Sequence, residues 1–260
     1  MPELPEVESY RLLAERTVGR TVESVHAPDP WFIKGGADGP GVRRALVGHR
    51  LSAARRIGKL LLLDVDGAPT LGIRFGMTGK LVVDGESGAD QLVYAPRRRD
   101  PVWDRFSLGL ADGGSVVVHD PRRLGGVQLD PDVSGLGPDA AAVTPSALAA
   151  ALKGSKAPLK ARLLDQSRVA GLGNLIADEA LWRARLSPLR PAGSLTGTEV
   201  RRLQRQLVRT IGDLTARGGS HQGDLMEERH PGGRCPRDGT ELVRSTVGGR
   251  TSWWCPSHQR

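Results

Sequence analysis

Two cysteine-bearing tetrapeptides near the C-terminus have a spacing that does chemistry elsewhere. Cys235-Pro-Arg-Asp238 and Cys255-Pro-Ser-His258 are separated by sixteen residues. Two ligand pairs of this kind, held apart by the length of a short hairpin, have the pattern of a zinc ribbon. Cys235, Asp238, Cys255 and His258 are therefore the candidate metal ligands, with His230 as a substitute for Asp238. A Cys235–Cys255 disulfide and a hairpin without metal are the competing readings. The other end of the chain carries a second candidate. Trimming of Met1, normal before proline, leaves Pro2 with a secondary amine that can attack an aldehyde carbon and form an iminium. Glu3 beside it can relay protons. The plainer alternative is that Pro2 only starts a helix. The third candidate is Gly171-Leu172-Gly173-Asn174. Its glycines permit close backbone approach, Asn174 can cap the helix that follows, and free N–H groups there can face a phosphate. An ordinary capped helical hairpin would carry the same residues.

These residues need elements to position them. Residues 3–18 read as a helix, with Val7, Tyr10, Ala14 and Val18 at helical spacing and Gly19 as its stop. Pro5 lies in the first turn, and Glu3, Glu6 and Glu8 favour the positive end of the dipole. From about residue 21 to 129 the pattern becomes β. Short apolar or alternating runs at Leu60–Val65, Leu71–Phe75, Leu81–Val83, Arg105–Leu110 and Ser115–His119 are divided by Asp/Gly turns. Residues 131–145, rich in Pro, Gly, Asp and Ala, form a linker. Helical signals follow at Pro145–Leu152 with Thr144 as cap, Leu159–Gln166, Leu175–Leu186 and Thr198–Ala216. The last has an apolar stripe at Leu203, Leu207, Thr210, Ile211 and Leu214. After a Gly-rich polar stretch, short β signals at Thr240–Val243 and Thr251–Trp254 lie between the cysteine pairs.

Composition narrows the function classes. The 260 residues suffice for one large domain or two modest ones. A 38% hydrophobic content excludes a disordered tail protein. No apolar run approaches the roughly 18 residues of a membrane span, so no membrane partner is expected. MPELPEVE lacks the basic-then-apolar order of a secretory signal. Two cysteines in all fit a reducing cytoplasm. The net charge of +8 is unevenly spread. Residues 1–150 hold 18 basic and 19 acidic side chains, and residues 151–260 hold 19 and 10. Coding bias explains 31 Arg against 6 Lys, but not this asymmetry. A polyanion such as nucleic acid is the partner that the C-terminal excess fits.

Seven motifs, in order along nearly the whole chain, resemble the formamidopyrimidine-DNA glycosylase/endonuclease VIII family. They are MPELPEVE, Arg56-Ile-Gly-Lys59, GMTGKL (76–81), DPRRLGG (120–126), LGPD (136–139), LDQ…VAGLGNLIADEAL (164–181) and GRT…CPSHQ (249–259). The opening ELPEVE is similar to the formamidopyrimidine branch. The resemblance implies an α+β multidomain fold. Its parts are an N-terminal helix plus β-sandwich (1–130), the linker, a helix-two-turns-helix domain (146–218) and a zinc-ribbon β-hairpin (219–260). It implies damaged double-stranded DNA as partner, bound in the cleft between domains by a monomer in the bacterial cytoplasm. It implies one structural zinc and no other cofactor.

The resemblance also implies roles. Pro2 is the nucleophile on C1′ of the damaged nucleotide, Glu3 the acid that assists sugar ring opening, and Lys59 a phosphate contact that helps catalysis. Met77, Arg122 and Leu124 fill the hole left by the extruded base. Such a wedge suits the physics, because flipping costs stacking energy. Asn174, with Gly171 and Gly173, and Arg250 clamp phosphates. The implied activity is a bifunctional glycosylase and AP lyase, working through a Schiff base at Pro2 with β,δ-elimination. Two departures bear on substrate. Leu124 stands where the family usually has Phe. The stretch between Gly219 and Cys235 is short where the branch has a loop over flipped 8-oxoguanine. Ring-opened purines, oxidised pyrimidines or a bulky adduct are then the expected lesions. The alternatives are a catalytically weak paralogue that senses lesions, and a zinc-ribbon RNA-binding protein.

Overall fold

The computed structural model describes residues 2–88 and 100–260. The chain divides into two compact units, one of Pro2 and Glu6–Val133, the other of Glu3–Pro5 and Ser134–Arg260. The elements begin with α1 (Leu4–Glu15), β1 (Val22–His26), β2 (Ile33–Lys34), α2 (Gly39–Leu46), β3 (Leu51–Ile57), β4 (Leu60–Val65) and β5 (Leu71–Arg74). They continue with β6 (Lys80–Val83), β7 (Glu86–Ser87), β8 (Asp104–Leu110), β9 (Ser115–His119) and β10 (Gly126–Leu129). The second unit holds α3 (Pro145–Leu152), α4 (Leu159–Leu164), α5 (Asn174–Ala184), α6 (Gly197–Ala216), β11 (Val243–Val247) and β12 (Arg250–Trp254). No helix among the described residues is long and apolar enough to cross a membrane.

The first unit is built on two five-stranded sheets, ordered β1-β8-β9-β6-β7 and β2-β10-β5-β4-β3. Among the described residues of this unit, β2 and β10 pair in parallel and the other neighbouring strands pair antiparallel. Residues from both sheets and both helices share one core, among them Tyr10, Val42, Leu61, Ile73, Phe106 and Val118. The apolar run of β4 is buried at all but one position, whereas β8 alternates buried and half-buried residues. A β-only reading of residues 21–129 misses α2. Asp38 caps it by accepting from Gly41 N at 2.7 Å, and Pro40 sits in its first turn. Its buried stripe is only Val42 and Leu46, too short to stand out from a β pattern.

In the second unit, local signals set the helix bounds. Thr144 accepts from Ala147 N at the start of α3. Thr196 and Glu199 form a reciprocal capping box on α6. Val200, Leu203, Leu207, Ile211 and Leu214 give α6 its buried face. In the hairpin β11–β12, Gly248 and Gly249 take positive φ (58° and 71°), as a primed two-residue turn requires. Counting back from that turn pairs Val243 with Trp254, so the strand starts where the sequence pattern places its end.

A buried ionic cluster fastens this hairpin to the helices. Lys160 on α4 and Asp178 on α5 are essentially inaccessible, and their charges meet at 2.7 Å. Lys160 Nζ also donates to Thr251 O (3.1 Å) and Ser252 Oγ (3.0 Å). Asp178 accepts from Ser252 Oγ (2.7 Å), Trp253 N (3.3 Å) and the Arg229 guanidinium. Desolvation pushes the Lys160 ammonium down from its usual range, and the Asp178 charge opposes it. Removing one partner strands a charge that water cannot reach. Asp178→Asn is expected to lower the stability of this unit in urea by about 3–5 kcal/mol. The double variant Asp178→Asn/Lys160→Met should lose clearly less than the sum of the single changes. Additive losses would mean that the two charges do not depend on each other.

Candidate functional site

Glu3 is buried and clusters with the second unit. Its Oε1 accepts from Leu175 N at 2.9 Å and its Oε2 from Ile176 N at 3.1 Å. These are backbone donors of the first turn of α5, which the helix itself cannot use. The carboxylate therefore serves as a cap supplied from the far end of the chain, and the helix dipole favours its charge. Two expectations change as a result. Asn174 is not the cap: Gly173 holds the N-cap position and Asn174 is the first helical residue. Nor are all the N–H groups at this helix start free for a phosphate, because Glu3 occupies two. Gly173 admits a close approach, that of the Glu3 side chain. A Cβ there would lie 2.5 Å from Glu3 Cγ, inside the space that the acid fills. Gly171 adopts φ +108°, and its N–H donates to Gln166 Oε1 at 3.0 Å. Gln166 Nε2 in turn donates to Leu164 O and Leu172 O, so one side chain shapes the whole turn. Asn174 Oδ1 is buried with no hydrogen-bond partner among the described residues.

Pro2, directly before Glu3 in sequence, is also buried. Met1, whose removal the amine chemistry needs, lies outside the described residues. In the first unit Lys59 occupies the turn between β3 and β4, where Gly58 has φ +57°. Arg56 anchors this turn. It donates from Nε to Glu8 Oε2 on α1 (2.9 Å) and from a terminal nitrogen to Gly58 O (2.8 Å). Met77 lies on the β5–β6 connection, while Arg122 and Leu124 lie on the β9–β10 connection. Met77 is half-buried, Arg122 exposed, and Leu124 is 51% exposed, high for a leucine.

The four C-terminal candidates do come together. One ligand atom from each of Cys235, Asp238, Cys255 and His258 lies within 4.8 Å of the others. Cys235 Sγ to His258 Nδ1 is 3.3 Å, Cys255 Sγ to Asp238 Oδ2 3.4 Å, and His258 Nδ1 to Asp238 Oδ2 3.3 Å. The edges of a tetrahedral zinc site with sulfur, nitrogen and oxygen ligands are roughly 3.3–3.8 Å, so the donor set fits that ion. Trp182 supports it twice. Its carbonyl accepts from His258 Nε2 (3.2 Å), which leaves Nδ1 facing the other ligands, and its indole N–H donates to Cys235 Sγ (3.4 Å). The Thr240 backbone N–H, followed by its hydroxyl and the two thiols, holds the Asp238 carboxyl well below the usual carboxylate range. His230 is exposed, its ring faces Pro231 O, and it is not in the group. Arg250 is exposed at the start of β12, on the hairpin that this group and the Lys160–Asp178 cluster hold from two sides.

Several positioning residues escape a reading of the sequence. The segment 220–229 is one case. Glu179 on α5 accepts from Asp224 N, Leu225 N and Arg183, and Arg183 also pairs with Asp213 and Asp224. Leu225 packs with Trp182, Leu242 and Trp253. A signal for such partners was present. Asp178 and Glu179 lie between apolar residues in a helix that is buried almost all round, where a charge needs a partner.

The first 127 residues match the family model described as the Formamidopyrimidine-DNA glycosylase N-terminal domain, and residues 135–223 match its H2TH domain. The formamidopyrimidine-DNA glycosylase of Chloroflexus aurantiacus is 36% identical, across 100% of this chain and 98% of that protein. That of Paracoccus denitrificans is 35% identical with both chains fully covered. Among solved structures, the Lactococcus lactis enzyme in complex with DNA containing a ring-opened guanine, Fapy-dG, superposes with a TM-score of 0.82 at 26% identity. That match covers 99% of this chain and 100% of the other. The same enzyme non-covalently bound to DNA with an AP site gives a TM-score of 0.82, also at 26% identity, with 99% of both chains covered. The chain thus belongs to the formamidopyrimidine-DNA glycosylase family.

Proposed function

We propose that this chain is a bifunctional DNA glycosylase and AP lyase that removes oxidised or ring-opened bases from duplex DNA. The observation that carries the proposal is the seat of Glu3. A carboxylate directly after Pro2 is fixed by two backbone N–H groups, and Gly173 is open to admit it. The two bonds fix the direction of the carboxylate beside Pro2.

In the proposed sequence the Pro2 amine attacks C1′, the damaged base departs with the glycosidic electron pair, and the Glu3 carboxylate takes up the N–H proton that the nitrogen sheds. The nitrogen lone pair then opens the C1′–O4′ bond to give the iminium, and Glu3 returns that proton to O4′. Loss of a C2′ proton then expels the 3′ phosphate, and a second elimination expels the 5′ phosphate. Lys59 contacts the phosphates beside the lesion. Met77, Arg122 and Leu124 take the space of the everted nucleotide. Asn174, in the turn built with Gly171 and Gly173, and Arg250 hold the backbone, and salt should weaken this binding steeply. Cys235, Asp238, Cys255 and His258 would hold one zinc, whose part is structural: it fixes the hairpin that carries Arg250. We assign 1–130 to the catalytic helix and β-sandwich, 131–145 to the linker, 146–218 to the helix-two-turns-helix domain and 219–260 to the zinc hairpin. The shortness of the stretch between Gly219 and Cys235, of which Glu179 holds Asp224 and Leu225, supports ring-opened purines, oxidised pyrimidines or a bulky adduct over 8-oxoguanine as substrates.

Borohydride should trap a covalent complex on duplexes carrying an abasic site or a formamidopyrimidine, and Pro2→Gly should abolish it. Absence of any trapped band, with Met1 shown by mass spectrometry to be removed, would leave a lesion-binding protein instead. Gly173→Ala should displace Glu3 and cut strand cleavage by about 100-fold or more. Unchanged cleavage would remove Glu3 from the mechanism. Elemental analysis of purified protein should find one zinc per chain, lost in Cys255→Ser; a zinc-free native protein would refute the metal assignment.

A further inference from the structure

Two connections in the first unit pass from one sheet to the other at the same end. Residues 75–79 join β5 to β6, and residues 120–125 join β9 to β10. Because β6 pairs with β9 through Lys80 and His119, and β5 with β10 through Arg74 and Gly126, the connections leave from adjacent rungs and run side by side. Their contact is backbone to backbone. Gly76 has φ +58°, and a Cβ there would stand 2.6 Å from Gly125 N.

Asp120 ties the two together. It is fully buried, as is Thr78. Asp120 Oδ1 accepts from Thr78 Oγ1 on the opposite connection at 2.6 Å and from Arg122 N at 3.2 Å. Its Oδ2 accepts from Gly125 N at 2.8 Å. Its backbone is held as well, with N–H donating to Trp103 O (2.8 Å) and the carbonyl accepting from Arg105 Nε (3.0 Å). The chain between these anchors turns through Arg123 at φ +56°, and Asp29 grips that guanidinium with both oxygens at 2.7 Å. The residues so held are Met77, next to Thr78, Arg122, whose own N–H is a donor to Asp120, and Leu124, next to the donor Gly125. Arg122 and Leu124 stay exposed while Asp120, Arg123 and Gly125 beside them are bound.

We propose that Asp120, acting through Thr78, is the positioning residue that makes Met77, Arg122 and Leu124 one pre-assembled wedge. Its contribution is to base eversion and not to bond cleavage. The proposal rests on the reading of those three side chains as the filler of the vacated stack. Physically, a wedge held in place before binding loses little freedom when it enters the duplex, so more of its contact energy opposes the unstacking cost. A loose pair of loops would have to be ordered at the moment of insertion.

Thr78→Val removes the bridging hydroxyl without changing shape, and Asp120→Asn weakens all three bonds. Their effect is read on three substrates. Base excision from a duplex carrying a formamidopyrimidine opposite cytosine should slow at least about tenfold, in kcat more than in KM. Strand cleavage at a preformed abasic site, where no base has to be everted, should stay within about twofold. With the lesion opposite an abasic nucleotide, where half the pairing is gone, the excision defect should shrink. Stopped-flow fluorescence of 2-aminopurine beside the lesion should show a slower insertion phase. Thermal unfolding of Thr78→Val keeps the test open if Asp120→Asn fails to fold. Equal losses on lesion and abasic substrates would overturn the proposal, since a merely structural residue would act on both. Met77→Ala separates the two levels. If it leaves the 2-aminopurine signal and excision unchanged, the wedge reading itself fails. If it slows insertion while Thr78→Val does not, the wedge stands and the role of Asp120 falls.

Discussion

A helix start has donors that it cannot satisfy, and in this molecule α5 satisfies two of them with an acid from the other end of the chain. Much of the local structure follows from that seat. Gly173 must lack a side chain because Glu3 fills the space. Gly171 must take a positive φ so that the turn can deliver Gly173, and Gln166 braces the turn by bonding to three backbone groups. The run Leu164–Asn174, which in isolation reads as a phosphate-facing loop, is in large part a cradle for a carboxylate. Asn174 Oδ1, buried in this run, has no hydrogen-bond partner among the described residues.

The elements and their faces were legible wherever the signal is local. Thr144-Pro145 set the start of α3, the stripe of α6 repeats at helical spacing, and the apolar run of β4 marks a strand buried on both faces. Cys235, Asp238, Cys255 and His258 could be grouped because a hairpin converts sequence spacing into proximity. What was not legible is who pairs with whom across distance. Periodicity says that Glu3, Asp120 and Asp178 face inward; it carries nothing about Ile176, Thr78 or Lys160. The misreading of Asn174 has that cause. The residue type is right for a cap, and a partner 173 positions from Ile176 had already taken the role.

The buried polar groups share one pattern. Glu3, Asp120, Asp178 and Glu179 each accept from at least two backbone N–H or side-chain donors, at least one of them on another segment. Apolar packing of equal volume would be as stabilising, or more so. It would not fix the angle of a loop to within a hydrogen bond. The chain places these acids behind its exposed turns, so that rigidity is concentrated under the residues offered to the outside. Trp182 does the same for the cysteine–histidine group, with one polar atom for each of two ligands.

The distance along the chain between Glu3 and its seat has a consequence for how the protein is made. The amides that orient Glu3 are synthesised 172 and 173 residues after it. Until then the first unit can form its sheets around a nascent chain whose acid has no fixed direction. The direction of this acid is therefore set only once synthesis has passed α5. A chain stopped short of that point would leave Glu3 unoriented, however well its β-structure had folded.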